Sequence, residues 1–126
     1  MKDTIFKAND IRGKYPDELN EEAAGQIAAA LAKHWSSGKI VVAHDARLSS
    51  PALYRAVIKS LALHARFMIQ EVGLSTTPMF YFLVNELKAA GGIMVTASHN
   101  PKEYNGLKIV GPRAAVINGK EVYGLL

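Results

Sequence analysis

The sequence predicts an α/β fold, a three-layer α/β/α sandwich with a mixed, mostly parallel sheet. Short apolar or β-branched segments alternate with longer amphipathic segments along the 126 residues, an order typical of a sheet covered by helices on both faces. Two of the amphipathic segments open on a hydroxyl residue followed by proline, which is a helix-start signal. The length is that of one domain, so residues 1–126 are predicted to form a single domain.

The first half of the chain predicts a weak strand over 5–8, a helix over 21–35, a strand over 39–43 and a helix over 51–65. Asn20 stands at the capping position of the first helix. That helix carries an apolar stripe spaced by four residues, formed by Ile27, Leu31 and Trp35. The second helix opens on Ser50-Pro51, a cap followed by proline at the first helical position.

The second half predicts a strand over 66–72, a helix from Thr77-Pro78 through 88, and strands over 91–95 and 106–110. Asn118-Gly119 predicts a turn, after which residues 120–126 begin a further element. In such sheets ligands bind beyond the carboxyl ends of the strands. The polar segments that follow the first, second and fourth predicted strands are therefore expected to converge on one edge.

Composition excludes several function classes. The chain has no cysteine, which excludes disulfides and thiolate metal sites. No apolar run follows the first residues and none approaches the roughly 20 residues of a membrane helix, so a cytoplasmic protein without membrane contact is expected. The net charge is +4, but the basic residues are scattered without interleaved aromatics, which favours a small anionic substrate over nucleic acid.

The most informative segment is Thr96-Ala97-Ser98-His99-Asn100-Pro101, directly after the apolar strand over 91–95. It presents the hydroxyl of Ser98 beside the imidazole of His99 and the amide of Asn100, with Lys108 shortly after. This combination favours phosphoryl or acyl transfer. The structural alternative is a serine that bonds its own backbone in a turn. The flanking residues do not form the Gly-x-Ser-x-Gly elbow of an esterase, and no acidic partner for a catalytic triad is evident.

Other polar residues admit two interpretations each. Asp45 and Arg47 form a loop ion pair or support a site. Arg12 sits in a turn or binds a phosphate in bidentate fashion. Lys108 lies between two apolar strand residues, and it is either solvated or functional. His44 beside Asp45 supplies too few ligands for a metal, and neither glycine-rich nucleotide-binding motif is present.

With these residues assembled, the chain resembles the N-terminal domain of the α-D-phosphohexomutases, the phosphoglucomutase/phosphomannomutase family. The resemblance covers nearly the whole chain. It is carried, in order, by Phe6-Lys7-Ala8-Asn9-Asp10-Ile11-Arg12-Gly13, by His44-Asp45-Ala46-Arg47-Leu48-Ser49-Ser50-Pro51, by Gly73 through Thr77-Pro78, by Gly91 through Pro101, and by Tyr104-Asn105-Gly106-Leu107-Lys108.

The resemblance implies that Ser98 carries a phosphoryl group and exchanges it with a hexose 1- or 6-phosphate through a hexose 1,6-bisphosphate, which also acts as activator. It implies one Mg²⁺ that touches an oxygen of the Ser98 phosphate. By the same resemblance, Arg12, Lys108 and His99 serve proton transfer or charge stabilisation. Asn9, Arg12 and Asn100 contact substrate, although many bacterial members carry tyrosine where this chain has Asn9. Asp45 and Arg47 support the loop.

The family has four domains, and this chain matches only the first. The expected further Mg²⁺ ligands and sugar-recognition loops belong to domains II–IV, and the aspartates here form no Asp-x-Asp-x-Asp pattern. We therefore expect a phosphosugar substrate, contacts with the remaining domains, negligible mutase activity of this chain alone, and self-association through the surface that those domains would cover.

Two alternatives remain open. A non-catalytic phosphosugar-binding or interaction domain would keep the fold without phosphorylating Ser98. A hydrolase would use Ser98 as its nucleophile and react with acylating or fluorophosphonate probes.

Overall fold

A computed structural model describes all residues, Met1–Leu126. The strands are β1 (Ile11–Lys14), β2 (Gly38–His44), β3 (Phe67–Leu74), β4 (Gly91–Val95), β5 (Tyr104–Val110) and β6 (Val116–Ile117), and the helices are α1 (Glu21–Trp35), α2 (Ser50–Leu61), α3 (Thr77–Glu86) and α4 (Gly119–Tyr123). Short 3₁₀ turns occur at Asp3–Ile5 and Pro112–Ala114. No helix combines the length and the apolar character needed to cross a bilayer.

The strands form one mixed sheet in the order β1-β5-β4-β2-β3, with β6 paired to β5. The predicted α/β class is confirmed. The parallel pairings are those of β2 with β3 and with β4, whereas β5 runs antiparallel to β1, β4 and β6. Antiparallel pairings therefore outnumber parallel ones, and the sheet is mixed but not mostly parallel as predicted. The reason is that the segment between β4 and β5 turns back directly without a helical crossover.

Helices cover both faces of the sheet. The larger core lies under α1, α2 and α4, and it includes Ile27 and Leu31 of α1 together with Ile40, Ile93 and Leu107 of the sheet. The smaller core lies on the opposite face under α3, and it consists of Val41, Ala43, Phe80, Val84, Ala89, Met94 and Val110. The carboxyl ends of β2 and β4 continue into the polar segments over 45–49 and 96–103, which are neither helix nor strand.

The helix starts follow the sequence signals within one residue. Asn20 caps α1 by accepting a hydrogen bond from Ala23 N at 2.9 Å. Thr76, and not Thr77, caps α3 through Met79 N at 3.2 Å. Ser50 does not cap α2: the capping position belongs to Ser49, and the Ser50 hydroxyl donates to Asp45 instead.

Three expected elements differ. Residues 5–8 are not a strand, because Phe6 forms only an isolated bridge with Ile11 and the first strand begins at that residue. The helix α2 ends at Leu61, four residues before the predicted boundary. Asn118-Gly119 starts a helix, since Asn118 and Glu121 form a reciprocal capping box.

Candidate functional site at the carboxyl end of the sheet

Ser98 lies near the beginning of the Ser98 loop (residues 96–104), which links β4 to β5 and includes the first residue of β5. Its backbone N–H donates to Oγ1 of the buried Thr96 at 3.0 Å. Asn100 closes the next turn through its backbone N and its Nδ2, which donate to Ala97 O at 3.1 and 2.7 Å. These bonds hold Ser98 at φ 57°, in the left-handed region. The side chains of Ser98 and His99 are exposed, and the Ser98 hydroxyl has no bond within the chain.

One arginine holds the backbone of this loop. Arg47 Nη2 donates to the carbonyls of Ser98 and Asn100 at 3.0 and 2.6 Å, and Nη1 donates to those of Pro101 and Tyr104 at 2.7 and 3.0 Å. A guanidinium suits this task because its donors are fixed in a planar fork. The exposed loop therefore owes its shape to a side chain from the neighbouring β2–α2 connection.

A polar network fixes Arg47 in turn. The carboxylate of Asp45 accepts from Arg47 N at 3.0 Å and from Ser50 Oγ at 2.5 Å, and its second oxygen lies 3.4 Å from Arg47 Nε. Asn105, fully buried, donates to the hydroxyls of Ser49 and Ser50 at 2.7 and 2.9 Å. The predicted Asp45–Arg47 ion pair is present, and Asn105 of β5 supports it through the Ser50 hydroxyl.

A second group of charges, the cation cluster (Asp10, Arg12 and Lys108), lies where β1 pairs with β5. Asp10 is 5% exposed. Its Oδ1 accepts from Arg12 Nε at 2.8 Å and its Oδ2 lies 3.5 Å from Lys108 Nζ. Lys108 is 23% exposed, so it is not the solvated lysine that strand alternation allowed.

The two groups border different cavities. An open cleft of about 420 Å³ is lined by Asp45, Ala46, Arg47, Ser98, Asn100 and Lys102. A smaller cavity of about 240 Å³ is lined by Asn9, Tyr81, Lys108, Ile109, Val110 and Val116. The structure therefore brings Ser98 and Asn100 together with Asp45 and Arg47. Asn9 and Lys108 border a separate recess, on the face of the sheet that α3 covers.

Two tyrosines near this end of the molecule, Tyr15 and Tyr54, have raised pKa values. Burial raises the pKa of Tyr54, the nearby Glu71 charge raises it further, and the hydrogen bond from Gly73 N lowers it. The pKa of Tyr15 is raised chiefly by the neighbouring Glu21 carboxylate, and burial raises it further. Tyr54 also packs edge-on against His44, with ring centroids 4.8 Å apart, so His44 has a structural contact and no metal partner is needed to explain it.

No three His, Cys, Asp or Glu side chains of the chain gather closely enough to hold a metal ion. Asp45, the carboxylate bordering the Ser98 cleft, is already engaged by Arg47 and Ser50. Mg²⁺ requires about six oxygen ligands in near-octahedral geometry. The residues present do not fit a complete magnesium site.

Sequence reasoning did not single out three residues that organise this region. Asp10 and Arg12 are two positions apart, a spacing that puts both side chains on one face of a strand. This spacing could have indicated Asp10 from the sequence. Thr96 and Asn105 are buried polar residues at the two ends of the loop. Their partners are set by tertiary contacts, and no local pattern indicates them.

Known proteins resemble this chain throughout. A family model described as phosphoglucomutase/phosphomannomutase, alpha/beta/alpha domain I, matches residues 3–123. A protein of Xanthomonas campestris pv. campestris named as phosphohexose mutases is 51% identical over 113 residues, which are 90% of this chain and 25% of that protein. A Klebsiella pneumoniae phosphomannomutase is 46% identical over 116 residues, 92% of this chain and 73% of that protein.

The comparison with solved structures points to the same family. A crystal structure of a phosphoglucomutase/phosphomannomutase family protein from Burkholderia thailandensis matches with a TM-score of 0.86 and 35% identity, over 99% of this chain and 29% of that one. The chain spans about a quarter of the length of the Xanthomonas relative.

Proposed function

Because the chain belongs to the phosphoglucomutase/phosphomannomutase family, as its alpha/beta/alpha domain I, we propose that it is the phosphoserine-bearing domain of an isomerase that interconverts hexose 1-phosphate and hexose 6-phosphate. The observation that supports this most directly is the position of Ser98. Its hydroxyl is exposed and unbonded at an open cleft, while the backbone that carries it is held by Arg47.

The proposed reaction starts from phosphorylated Ser98. A hydroxyl oxygen of the hexose phosphate attacks the phosphorus, the new O–P bond forms, and the bond from phosphorus to Ser98 Oγ breaks. The bonding electron pair stays on Oγ, and the proton lost by the sugar hydroxyl ends there, so that hexose 1,6-bisphosphate and free Ser98 result. Transfer of the other phosphate back to Ser98 reverses these steps and releases the isomeric hexose phosphate.

The positive charges of the site suit this chemistry. Phosphoryl transfer is accelerated chiefly by positioning and by charges placed to stabilise the transferring group. We assign charge stabilisation or proton movement to Arg12, Lys108 and His99, and substrate contact to Asn9, Arg12 and Asn100. Asp45 and Arg47 act on the reaction indirectly, by fixing the loop that presents Ser98.

The loop geometry is suited to a carrier that must be phosphorylated and dephosphorylated repeatedly. All the bonds that shape it involve backbone atoms or the side chains of Thr96, Asn100 and Arg47. Adding or removing a phosphate at Ser98 Oγ therefore breaks none of them. Mg²⁺ would supply charge neutralisation at a phosphate oxygen, and the residues of this chain do not provide its full set of ligands.

We also propose that residues 1–126 form domain I of a longer polypeptide. The Xanthomonas relative named above as phosphohexose mutases is about four times as long as the matched region. Recognition of the sugar and of its distal phosphate would then depend on parts of the protein beyond this domain. The preference for one hexose phosphate over another would follow from those parts.

The intact mass of the chain, before and after incubation with glucose 1,6-bisphosphate and Mg²⁺, tests the proposal. We expect one added phosphate, mapped to Ser98. Ser98→Ala should abolish the addition, whereas Ser37→Ala, at an exposed serine without side-chain bonds, should leave it unchanged. Phosphate that maps to another residue, or that persists in S98A, would contradict the assignment. Binding of the sugar phosphate without any phosphorylation would favour a non-catalytic binding domain.

A further inference from the structure

Asp10 is the most buried ionisable side chain of the region, and the proposed reaction does not use it. Its relative exposure is 5%, against 36% for Arg12 and 23% for Lys108. A buried carboxylate is costly unless its oxygens are paired. Each oxygen of Asp10 faces a different cation, Oδ1 facing Arg12 Nε at 2.8 Å and Oδ2 facing Lys108 Nζ at 3.5 Å.

The strand register puts these three residues on one face of the sheet. Ile11 pairs with Leu107 and Arg12 with Gly106, so Asp10 continues the ladder opposite Lys108. Ile11 and Leu107 point into the core under α1. The alternation of side chains then directs Asp10, Arg12 and Lys108 to the opposite face, the one that α3 covers.

The same register connects the cluster to the Ser98 loop. Arg12 lies across Gly106, whose missing side chain leaves room for it: a Cβ at Gly106 would come within 3.0 Å of Arg12 Cγ and 2.8 Å of Thr96 O. Thr96 N donates to Gly106 O at 2.9 Å, and Thr96 Oγ1 accepts from Ser98 N. Arg12 of β1, Gly106 of β5 and Thr96, the residue that follows β4, therefore form one row, and the row leads into the loop that carries Ser98.

We propose that Asp10 is a positioning residue that holds the guanidinium of Arg12 and the ammonium of Lys108 side by side on this face, in register with the Ser98 loop. Neither cation has another ion-pair partner in the chain. Asp10 removes the rotational freedom of two long side chains and keeps them close together despite their like charges. The purpose of this arrangement rests on the proposed phosphoryl transfer. The contacts of Asp10 with the two cations can be tested independently of that reaction.

The first test follows hydrogen exchange of the arginine Nε–H groups by NMR. In the unaltered chain, Arg12 Hε should exchange at least tenfold more slowly than Hε of Arg55, an exposed arginine without side-chain bonds. Asp10→Ala should bring Arg12 to the rate of Arg55, whereas Asp17→Ala, at an exposed unpaired carboxylate, should change nothing. Equal rates for Arg12 and Arg55 in the unaltered chain would overturn the proposal, whether or not Ser98 is phosphorylated.

The second test separates positioning from structural support through single-turnover phosphorylation of Ser98 by glucose 1,6-bisphosphate. Asp10→Asn removes a negative charge near an anion site, so the concentration of donor giving half-maximal rate should stay the same or fall. The maximal rate should fall about tenfold because Lys108 loses its partner. Asp10→Glu should recover part of the rate.

The possible failures are distinguishable. A maximal rate within twofold of the unaltered chain in D10N would overturn the positioning role. A weaker affinity together with a lower rate and a lower melting temperature would show structural support only, and would also overturn it. Failure of the unaltered chain to accept phosphate would count against the proposed function, and the exchange experiment would then decide on Asp10 alone.

Discussion

The Ser98 loop and the cation cluster are both polar, and both lie beside β5, yet they are held in opposite ways. In the loop, one guanidinium donates to four backbone carbonyls, and the side chains of Ser98 and His99 point outward. In the cluster, one buried carboxylate contacts two side-chain cations. The loop is thus shaped through its backbone, whereas the cluster exists only through the identity of its side chains.

This difference decides what a substitution does in each region. A change at Ser98 removes its chemistry and leaves the loop in place. A change at Asp10 leaves the strands paired, because their backbone ladder does not involve its carboxylate, but it releases the two cations. The residue whose loss should damage the loop itself is Arg47, which lies more than 50 residues away in the sequence.

Arg47→Ala should have the largest effect on stability. It leaves four carbonyls without their charged donor and Asp45 without its cation. Hydrogen bonds to charged groups contribute about 1.5–3 kcal/mol each, but water can reach some of these carbonyls, so we expect a loss of about 2–4 kcal/mol in the free energy of unfolding. Urea denaturation measures it. Arg47→Lys should recover only part, since an ammonium cannot reproduce the fork.

The neighbouring Lys102→Ala provides the matched control for charge, because Lys102 borders the same cleft, is exposed and makes no side-chain bond. It should change the unfolding free energy by less than about 0.5 kcal/mol. Equal losses in R47A and K102A would mean that net positive charge, and not the bonds to the carbonyls, stabilises the loop.

Asn105→Ala should come next. Asn105 is fully buried and donates to both Ser49 and Ser50. Its removal creates a small cavity and takes the donor from two hydroxyls, one of which, that of Ser50, donates to Asp45, for an expected loss of about 2–3 kcal/mol. Asn85→Ala removes one exposed bond within a helix and should cost under about 0.5 kcal/mol. A loss in N105A no larger than that in N85A would show that the network does not support the loop.

The local parts of the molecule were predictable and the long-range parts were not. Asn20 indicated the start of α1, and the apolar run over 91–95 predicted β4 with both its boundaries, since capping and β-branched runs act within a few residues. The first strand was misplaced because the residues of β5 that pair with it lie 90 to 96 positions further along the chain. The bonds of Arg47 span 51 to 57 residues, a separation that no local pattern reports.

Tyr54 lies outside both regions and provides a baseline for a single buried bond. Tyr54→Phe removes the acceptor of Gly73 N and should cost about 1 kcal/mol at neutral pH. Because burial raises the pKa of Tyr54 above 10.0 in the folded state, the unfolded chain releases this proton at lower pH than the folded one. Stability should therefore fall as the pH rises beyond 10, and less steeply in Y54F. Parallel alkaline curves for the two chains would contradict the shift.

The smallest effect should come from Ser98 itself. Ser98→Ala should change stability by less than about 0.5 kcal/mol, because the side chain is exposed and unbonded. Ser98 has φ 57°, a region that costs a residue with a Cβ about 1–2 kcal/mol and glycine nothing. Glycine loses about 0.5–1 kcal/mol more backbone entropy on folding. Ser98→Gly should therefore be more stable than S98A by a few tenths up to about 1 kcal/mol.

Comparing S98G with S98A is informative because both variants lack the hydroxyl and neither can accept phosphate. Any difference in their unfolding free energies then reports the backbone alone. If S98G is the more stable, the Arg47 bonds keep the loop in a conformation that serine adopts only at a cost, and the cost serves to present the hydroxyl. If S98G is the less stable, the loop relaxes out of the left-handed region in solution, and Arg47 does not impose its shape.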